Sequence, residues 1–113
     1  MKHLNIEQKG SIAIVSIARP DAMNALNQEV LKEFFSLQEH FRKDLDTRVV
    51  IFTGEGDHFS AGADLKEKAQ LSTKLESWRN NYGKPAIKSI LDIDQITIAA
   101  VNGFALGGGC ELA

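Results

Sequence analysis

The sequence contains little cysteine and no long apolar run. Cys110 is the only cysteine among 113 residues, so no disulfide can form within the chain, and a reducing compartment is the ordinary setting for such a protein. No stretch approaches the roughly 20 apolar residues that a membrane-spanning helix needs. The first ten residues have neither the apolar core of a signal peptide nor the composition of a transit peptide. We therefore expect a cytoplasmic protein with no membrane partner.

The sequence also lacks an excess of charge of either sign. Its 13 basic and 15 acidic side chains give a net charge of −2. A chain without a strong positive field is not typical of nucleic-acid-binding proteins, so we expect no nucleic-acid partner. The histidines His3, His40 and His58 are not spaced as metal ligands, and we predict no metal site. We expect His58, within GDHF, to be an exposed loop residue.

Apolar periodicity in the first half predicts two strands and a helix. Residues 4–8 and 12–17 have the composition of strands joined by a tight turn, and the second is apolar enough to be buried on both faces. Asn27 is a good N-cap residue, and the predicted helix after it runs to about Lys43. Its apolar stripe consists of Val30, Phe34, Leu37 and Phe41.

The second half repeats the order of strand and helix. Residues 49–53 and 96–101 are short apolar runs that predict buried strands. Between them, a second helical stripe is predicted for Leu71, Leu75, Trp78 and Tyr82. A third helix is predicted with Pro85 in its first turn and with Ile87, Ile90 and Leu91 facing inward. The order β-β-α-β-α-α-β-α predicts an α/β fold in which helices join parallel strands.

A glycine-containing loop follows each of the two later strands. The loops are GEGDHFSAGADL and NGFALGGGCEL. Ligands of open α/β folds bind beyond the carboxyl ends of strands, so both loops can face one crevice. Each loop offers a backbone N–H group, from Ala63 in the first and Gly108 in the second, and two such donors on one oxygen form an oxyanion hole. Glu111 lies three residues after Gly108 and can transfer protons beside that hole.

The glycine run has other interpretations. A plain tight turn explains three successive glycines as well as a ligand loop does, and Glu111 is then an acidic residue in the first turn of a helix. Phosphate-binding motifs fail on spacing. The pattern G-x-G-x-x-G from Gly107 requires glycine at Leu112, and G-x-x-x-x-G-K from Gly103 requires lysine at Gly109. On spacing alone, the turn and the ligand loop both remain open.

Three segments resemble the crotonase superfamily, also called the enoyl-CoA hydratase/isomerase family. They are ARPDAMNALNQEVLKEF, FSAGADLKE and AAVNGFALGGGCELA, which occur in the family's order and span nearly the whole chain. The resemblance implies an α/β fold built as a crotonase-like spiral of ββα units. Residues 1–113 would be the N-terminal part of one such domain, an incomplete spiral whose C-terminal remainder is absent. It also implies a homo-trimer or hexamer and an acyl-CoA thioester substrate. Because coenzyme A is part of the substrate, no separate cofactor is expected.

The resemblance also implies roles for individual residues. Ala63 and Gly108 match the positions whose N–H groups hold the thioester oxygen, and Glu111 matches the first of two catalytic glutamates in hydratases. Ala61 matches a backbone contact to the adenine. The remaining expected substrate-binding residues are Asp64, Leu65 and Lys66.

Three charged residues keep two interpretations each. Asp64 can line the acyl-CoA site or cap the helix that follows it. Lys66 and Arg19 can be solvated surface charges or contacts to the phosphates of the coenzyme. The residues alone leave all of these alternatives open.

The function implied is the acyl-CoA-binding part of an enoyl-CoA hydratase, which adds water to a 2-trans-enoyl-CoA thioester. One alternative is another crotonase-type enzyme, such as an isomerase, decarboxylase or dehalogenase. The other is a non-catalytic acyl-CoA-binding or assembly fragment. The second catalytic glutamate of the hydratases would lie after Ala113, so we expect the 113-residue chain alone to be inactive.

Overall fold

Two N-terminal strands form a hairpin in the structure, a computed structural model that describes residues 1–69 and 83–113. Strand β1 spans Leu4–Lys9 and pairs antiparallel with β2, which spans Ile12–Ile17. Gly10 in the turn has a φ of +61°, a left-handed conformation that glycine adopts without a steric penalty. The two strands and the tight turn predicted from the sequence are thus confirmed.

The burial of β2 differs from the prediction. Only one of its faces is buried, and this face consists of Ala13, Val15 and Ile17. On the other face, Ile12 is exposed and Ile14 is only half-buried. The expectation that β2 is buried on both faces is therefore wrong for the part of the chain that the structure describes. Side chains alternate between the faces of a strand, and an apolar run does not reveal whether both faces are covered.

Helix α1 spans Gln28–Arg42 and begins where Asn27 caps it. The Asn27 side chain accepts a hydrogen bond from Val30 N at 2.9 Å, which satisfies one of the N–H groups that a helix start leaves unpaired. The predicted helix and stripe are confirmed, because all four stripe residues are at most 1% exposed: Val30, Phe34, Leu37 and Phe41. They form one core with the buried face of β2, where each large apolar side chain contributes about 1.5–3 kcal/mol.

Strands β3 (Val49–Gly54) and β4 (Ile96–Ala99) continue the sheet in the order β1-β2-β3-β4. Strand β3 runs parallel to β2, and β4 runs parallel to β3. The parallel arrangement confirms the α/β fold class. The last strand is shorter than predicted, since it ends at Ala99 and not at Val101. The prediction that it is buried is also wrong, because Ile96 and Ile98 are 66% and 48% exposed.

The carboxyl ends of the three parallel strands meet at one edge of the sheet. Ile17 of β2 lies opposite Gly54 of β3, and Phe52 of β3 lies opposite Ala99 of β4. The segments that follow these strands therefore leave the sheet side by side. We call them the first loop (residues 18–27), the second loop (55–64) and the third loop (100–107).

The other described helices are short. They are α2 (Leu65–Ala69), α3 (Gly83–Ser89) and α4 (Gly108–Leu112). Single 3₁₀ turns cover Pro20–Ala22 and Ile90–Asp92. No helix in the described ranges has the length and apolarity needed to cross a membrane. The stripe predicted for Leu71, Leu75, Trp78 and Tyr82 lies outside the described residues.

Helix α3 confirms the predicted helix near Pro85, but one of its expected core residues is wrong. Ile90 is 6% exposed, as expected, whereas Leu91 is 78% exposed. Ile93 is buried in its place, at 8% exposed. The 3₁₀ turn over Ile90–Asp92 explains the difference, because three residues per turn place the side chains at other angles than the α-helical period assumes.

Candidate active site

Asn24 joins the first and second loops. Its side chain is fully buried, and its φ of +55° lies in the left-handed region that asparagine enters more readily than most residues. Its Oδ1 atom accepts a hydrogen bond from Arg19 N at 2.9 Å. Its Nδ2 atom donates to Glu55 O at 2.9 Å and to His58 O at 2.6 Å. One amide side chain thus fixes the start of the second loop relative to the first.

Asn102 joins the second and third loops in the same way. Its Nδ2 atom donates to Gly54 O at 2.7 Å and to Gly56 O at 3.0 Å. Its Oδ1 atom accepts from Gly54 N at 3.1 Å and from Thr53 Oγ1 at 3.0 Å. The third loop is therefore attached to the end of β3, where the second loop begins.

Ser60 connects all three loops at their centre. Its N–H group donates to Phe104 O at 2.9 Å, and its carbonyl accepts from Leu106 N at 3.1 Å. Its buried hydroxyl donates to Asn24 O at 2.8 Å and accepts from Gly62 N at 3.1 Å. The main chain just before Ala63 is thereby fixed to the main chain just before Gly108.

Ala63 has an N–H group that its neighbours leave free. Leu26 pairs with this segment through Leu26 N to Gly62 O at 2.7 Å and Asp64 N to Leu26 O at 3.2 Å. In this parallel pairing Leu26 uses the groups on either side of Ala63, so the N–H of Ala63 itself points away from Leu26. Within the described ranges no acceptor is bonded to it.

Gly108 places a second free N–H group close to the first. It is the first residue of α4, a position whose N–H has no acceptor within the helix. A Cβ atom built on Gly108 lies 3.9 Å from Ala63 N. Because a Cβ is about 2.5 Å from its own nitrogen, the two nitrogens are at most about 6.4 Å apart. Two donors at about 2.7–3.1 Å from one oxygen can be up to about 6 Å apart, so the bound on the separation of the two nitrogens is close to the largest separation at which both could share one oxygen.

Glu111 lies in the first turn of α4 and is exposed. Its N–H group bonds to Gly107 O at 3.1 Å, and its carboxylate has no hydrogen bond or ion pair among the described residues. The position of α4 is set by Gly109, which is buried against Ser60. Glu111 is therefore an unpaired carboxylate on a helix whose first residue is Gly108.

Asp64 and Arg19 form an ion pair beside Ala63. Arg19 Nη2 lies 3.2 Å from Asp64 Oδ2, and the two side chains are 18% and 15% exposed. Arg19 Nη1 also donates to Ala25 O at 2.7 Å. Asp64 Oδ1 accepts from Lys66 N at 3.1 Å and from Glu67 N at 3.2 Å, so Asp64 caps α2 as one interpretation predicted. Arg19 is not the solvated surface charge that was considered.

The environment of Asp64 lowers its pKa. Partial burial acts to raise the pKa of this carboxyl, but the hydrogen bond from Glu67 N and the ion pair with Arg19 outweigh burial and hold the pKa below its ordinary value. A carboxyl group whose pKa is lower in the folded state than in the unfolded state stabilises the folded protein. This contribution is fully present above the unfolded-state pKa of about 3.9 and is lost as the pH falls through the folded-state pKa.

We expect Asp64→Asn to lower the free energy of unfolding at neutral pH by about 1–3 kcal/mol, because Arg19 keeps no charged partner and the α2 cap is weakened. The loss of stability between about pH 5 and pH 3 becomes shallower in the variant, because a titrating group has been removed. Urea unfolding at several pH values measures both effects. Asp46→Asn, at an exposed carboxylate, is the control. Equal pH dependence in Asp64→Asn and the unsubstituted protein would contradict the ion pair.

The other predicted substrate-binding residues lie on the same loop. The N–H of Ala61 already donates to Met23 O at 3.0 Å, so its carbonyl is the main-chain group left for a ligand. Leu65 is 76% exposed, and Lys66 is exposed as well. Both can reach a ligand without a change in packing, and their contacts to substrate stay a prediction.

Sequence reasoning missed the side chains that hold the loops together: Asn24, Asn102, Ser60 and His58. His58 was expected to be exposed, but it is half-buried, and its ring contacts the third loop. The correction has a simple cause, since a polar residue in a loop has no periodicity that reveals its burial.

The parallel β2-β3-β4 sheet, with glycine-containing loops at its carboxyl edge, is the first part of a crotonase fold. The chain belongs to the enoyl-CoA hydratase/isomerase family, because the sequence model of that family matches residues 7–113. The family resemblance inferred from the three sequence segments is thus confirmed.

Individual relatives agree with this assignment. The chain is 39% identical to a short-chain-enoyl-CoA hydratase of Clostridium acetobutylicum over 114 residues, which cover 100% of this chain and 44% of the relative. It is 39% identical to a crotonyl-CoA hydratase of Syntrophomonas wolfei, covering 99% of this chain and 44% of the relative. The chain thus spans less than half the length of these relatives.

Solved structures give the same result for the fold. An enoyl-CoA hydratase from Bacillus anthracis matches with a TM-score of 0.91 at 32% identity, covering 97% of this chain and 43% of that chain. An enoyl-CoA hydratase/carnithine racemase from Magnetospirillum magneticum matches with a TM-score of 0.92 at 33% identity, covering 100% and 43%. The predicted crotonase-like fold is therefore confirmed over the length of this chain.

Proposed function

We propose that the protein containing this chain is an enoyl-CoA hydratase and that residues 1–113 form the N-terminal part of its single crotonase-like domain. The observation that carries the proposal is that, among the described residues, the N–H groups of Ala63 and Gly108 have no bonded acceptor and are at most about 6.4 Å apart. The carboxylate of Glu111, which is unpaired among the same residues, lies on the adjoining helix. Hydratase relatives that match nearly the whole chain support the choice of reaction.

The proposed mechanism begins at the thioester oxygen. Both N–H groups donate to this oxygen and stabilise the enolate character that develops when water adds to the β-carbon. Glu111 orients the water and takes its proton, and a second glutamate beyond residue 113 supplies a proton to the α-carbon. Each backbone donor typically contributes about 3–4 kcal/mol to the transition state, and each acid–base group about 10²–10⁴-fold in rate.

The substrate would lie along the second loop and the start of α2. The Ala61 carbonyl would contact the adenine, and Asp64, Leu65 and Lys66 would line the acyl-CoA site. Coenzyme A enters as part of the substrate, so the mechanism as written requires no separate cofactor. We further propose a cytoplasmic homo-trimer or hexamer, and we expect the 113-residue chain alone to be inactive because it has only one of the two glutamates.

A second candidate is another reaction of the same family, such as double-bond isomerisation. The family description itself includes isomerases, and an oxyanion hole serves both chemistries. The two reactions are separated by the fate of water. Hydration puts the oxygen of isotopically labelled water on the β-carbon, whereas isomerisation leaves the product without it. A non-catalytic acyl-CoA-binding protein would give neither product.

The function is tested by turnover of a short 2-enoyl-CoA by the purified full-length protein. We expect the 3-hydroxyacyl-CoA product, with the label on the β-carbon. We also expect Gly108→Pro to lower kcat by about 10²-fold or more, since it removes one N–H donor. Proline suits the first position of a helix, so the change is aimed at the donor more than at the fold.

Gly108→Ala is the matched control because it keeps the N–H group. Its Cβ would meet two side-chain ends, Leu26 Cδ1 at 3.3 Å and Ile87 Cδ1 at 3.8 Å, and would lie at an ordinary contact distance of 3.9 Å from Ala63 N. Circular dichroism checks that both variants fold. A folded Gly108→Pro protein with the kcat of Gly108→Ala would contradict the role of this amide, and the absence of any labelled product would contradict hydration.

A further inference from the structure

His58 contacts the third loop through both its ring face and a ring nitrogen. Its Nδ1 atom accepts a hydrogen bond from Phe104 N at 3.2 Å. Its ring stacks on the Phe104 ring, with centroids 4.3 Å apart and planes inclined by 11°. The second loop, which carries Ala63, is thus joined by a side chain to the third loop, which leads into Gly108.

The contact holds the third loop against the second loop at Phe104, four residues before Gly108. Phe104 has both main-chain groups bonded to the second loop, its N–H to His58 Nδ1 and its carbonyl to Ser60 N. The ring also lies against Gly103, where a Cβ atom would be 2.9 Å from His58 Nδ1. Gly108 follows Phe104 by four residues, and Ala63 follows His58 by five. The His58–Phe104 contact is therefore only a few residues along the chain from each of the two donors.

We propose that His58 is a positioning residue that sets the separation of the Ala63 and Gly108 amides by accepting the Phe104 N–H. This inference rests on the proposed function, since the separation matters only if the two amides hold one oxygen. Acceptance at Nδ1 requires the neutral imidazole with its proton on Nε2. A proton on Nδ1 would place two donors opposite each other and break the contact.

Two variants separate the acceptor from the ring. His58→Asn places an oxygen near the position of Nδ1 and does not titrate, whereas His58→Phe keeps a ring against Phe104 and has no acceptor. In the full-length protein we expect His58→Phe to lower kcat for a short 2-enoyl-CoA by about ten-fold with little change in KM. We expect His58→Asn to keep kcat within about three-fold of the unsubstituted protein, because it retains an acceptor for the Phe104 N–H.

Nuclear magnetic resonance gives a readout that does not depend on turnover. We expect the imidazole of His58 to be the Nε2–H tautomer, and we expect hydrogen exchange of the Phe104 amide to accelerate in His58→Phe. A His58→Phe protein with unchanged kcat and unchanged Phe104 exchange would overturn the proposal. Equal losses of kcat in both variants would also overturn it, since the acceptor would then not be what matters.

If the unsubstituted protein lacks turnover, the proposed function fails, and so does the role of His58 in turnover. The tautomer and exchange data then still decide whether the His58–Phe104 contact exists.

Discussion

Glu111→Gln lowers kcat of the full-length protein by about 10²–10⁴-fold and changes acyl-CoA affinity by less than about three-fold. The substitution keeps the size and hydrogen-bonding shape of the side chain but removes its ability to take a proton. Glu111 has no ion pair among the described residues, so no structural interaction is lost with its charge. Steady-state kinetics with a short 2-enoyl-CoA, together with calorimetric binding of a non-reactive acyl-CoA, measures both quantities.

Glu39→Gln is the control for Glu111→Gln. Glu39 is an exposed glutamate of α1 whose ion pairs with Arg42 and Lys43 are exposed as well, so its removal has little effect on stability. We expect kcat of this variant to equal that of the unsubstituted protein. An unchanged kcat in Glu111→Gln would show that Glu111 is only the acidic first-turn residue of α4, which is the other interpretation that the sequence left open.

Gly109→Ala destabilises the protein by about 3 kcal/mol or prevents folding. A Cβ atom on Gly109 would overlap Ser60 O and would lie 2.9 Å from Ser60 Cβ. The Ser60 carbonyl cannot yield easily, because Ser60 is bonded to Phe104, Leu106 and Asn24 at once. Relief of the overlap therefore moves α4 away from the second loop.

Gly108→Ala is the control for this prediction as well, since its added methyl group lies no closer than 3.3 Å to the residues packed around it, and the nearest atom is at the end of the Leu26 side chain. We expect it to cost less than about 1 kcal/mol. Urea unfolding monitored by circular dichroism compares the two variants. Equal stabilities would show that α4 does not rest on Ser60 in the way the structure describes, and the separation of the Ala63 and Gly108 amides would then lack its main support.

The sequence was sufficient to predict the elements whose signals are local. The β1–β2 hairpin follows from two apolar runs around Lys9-Gly10, and α1 follows from the Asn27 cap and a stripe of period 3.6. The two glycine-containing loops were recognisable as loops, whereas their interpretation as ligand loops depended on the resemblance to the crotonase superfamily. These features depend on residues that are neighbours along the chain.

The sequence did not predict features that depend on contacts between distant segments. The open face of β2 and the exposure of Leu91 both depend on what covers a side chain, which no apolar run specifies. Apart from the bond from Arg19 N to Asn24, the side-chain hydrogen bonds of Asn24 and Asn102 described above join residues 31–49 positions apart. The candidate site could therefore be named from the sequence as two donors and a carboxylate, whereas the network that holds the donors together required the structure.

The most direct test is a crystal structure of the full-length protein with a bound acyl-CoA thioester. We predict that the thioester oxygen lies about 2.7–3.1 Å from both Ala63 N and Gly108 N, with the Glu111 carboxylate facing the β-carbon. A thioester oxygen that contacts only one of these nitrogens, or neither, would contradict the account.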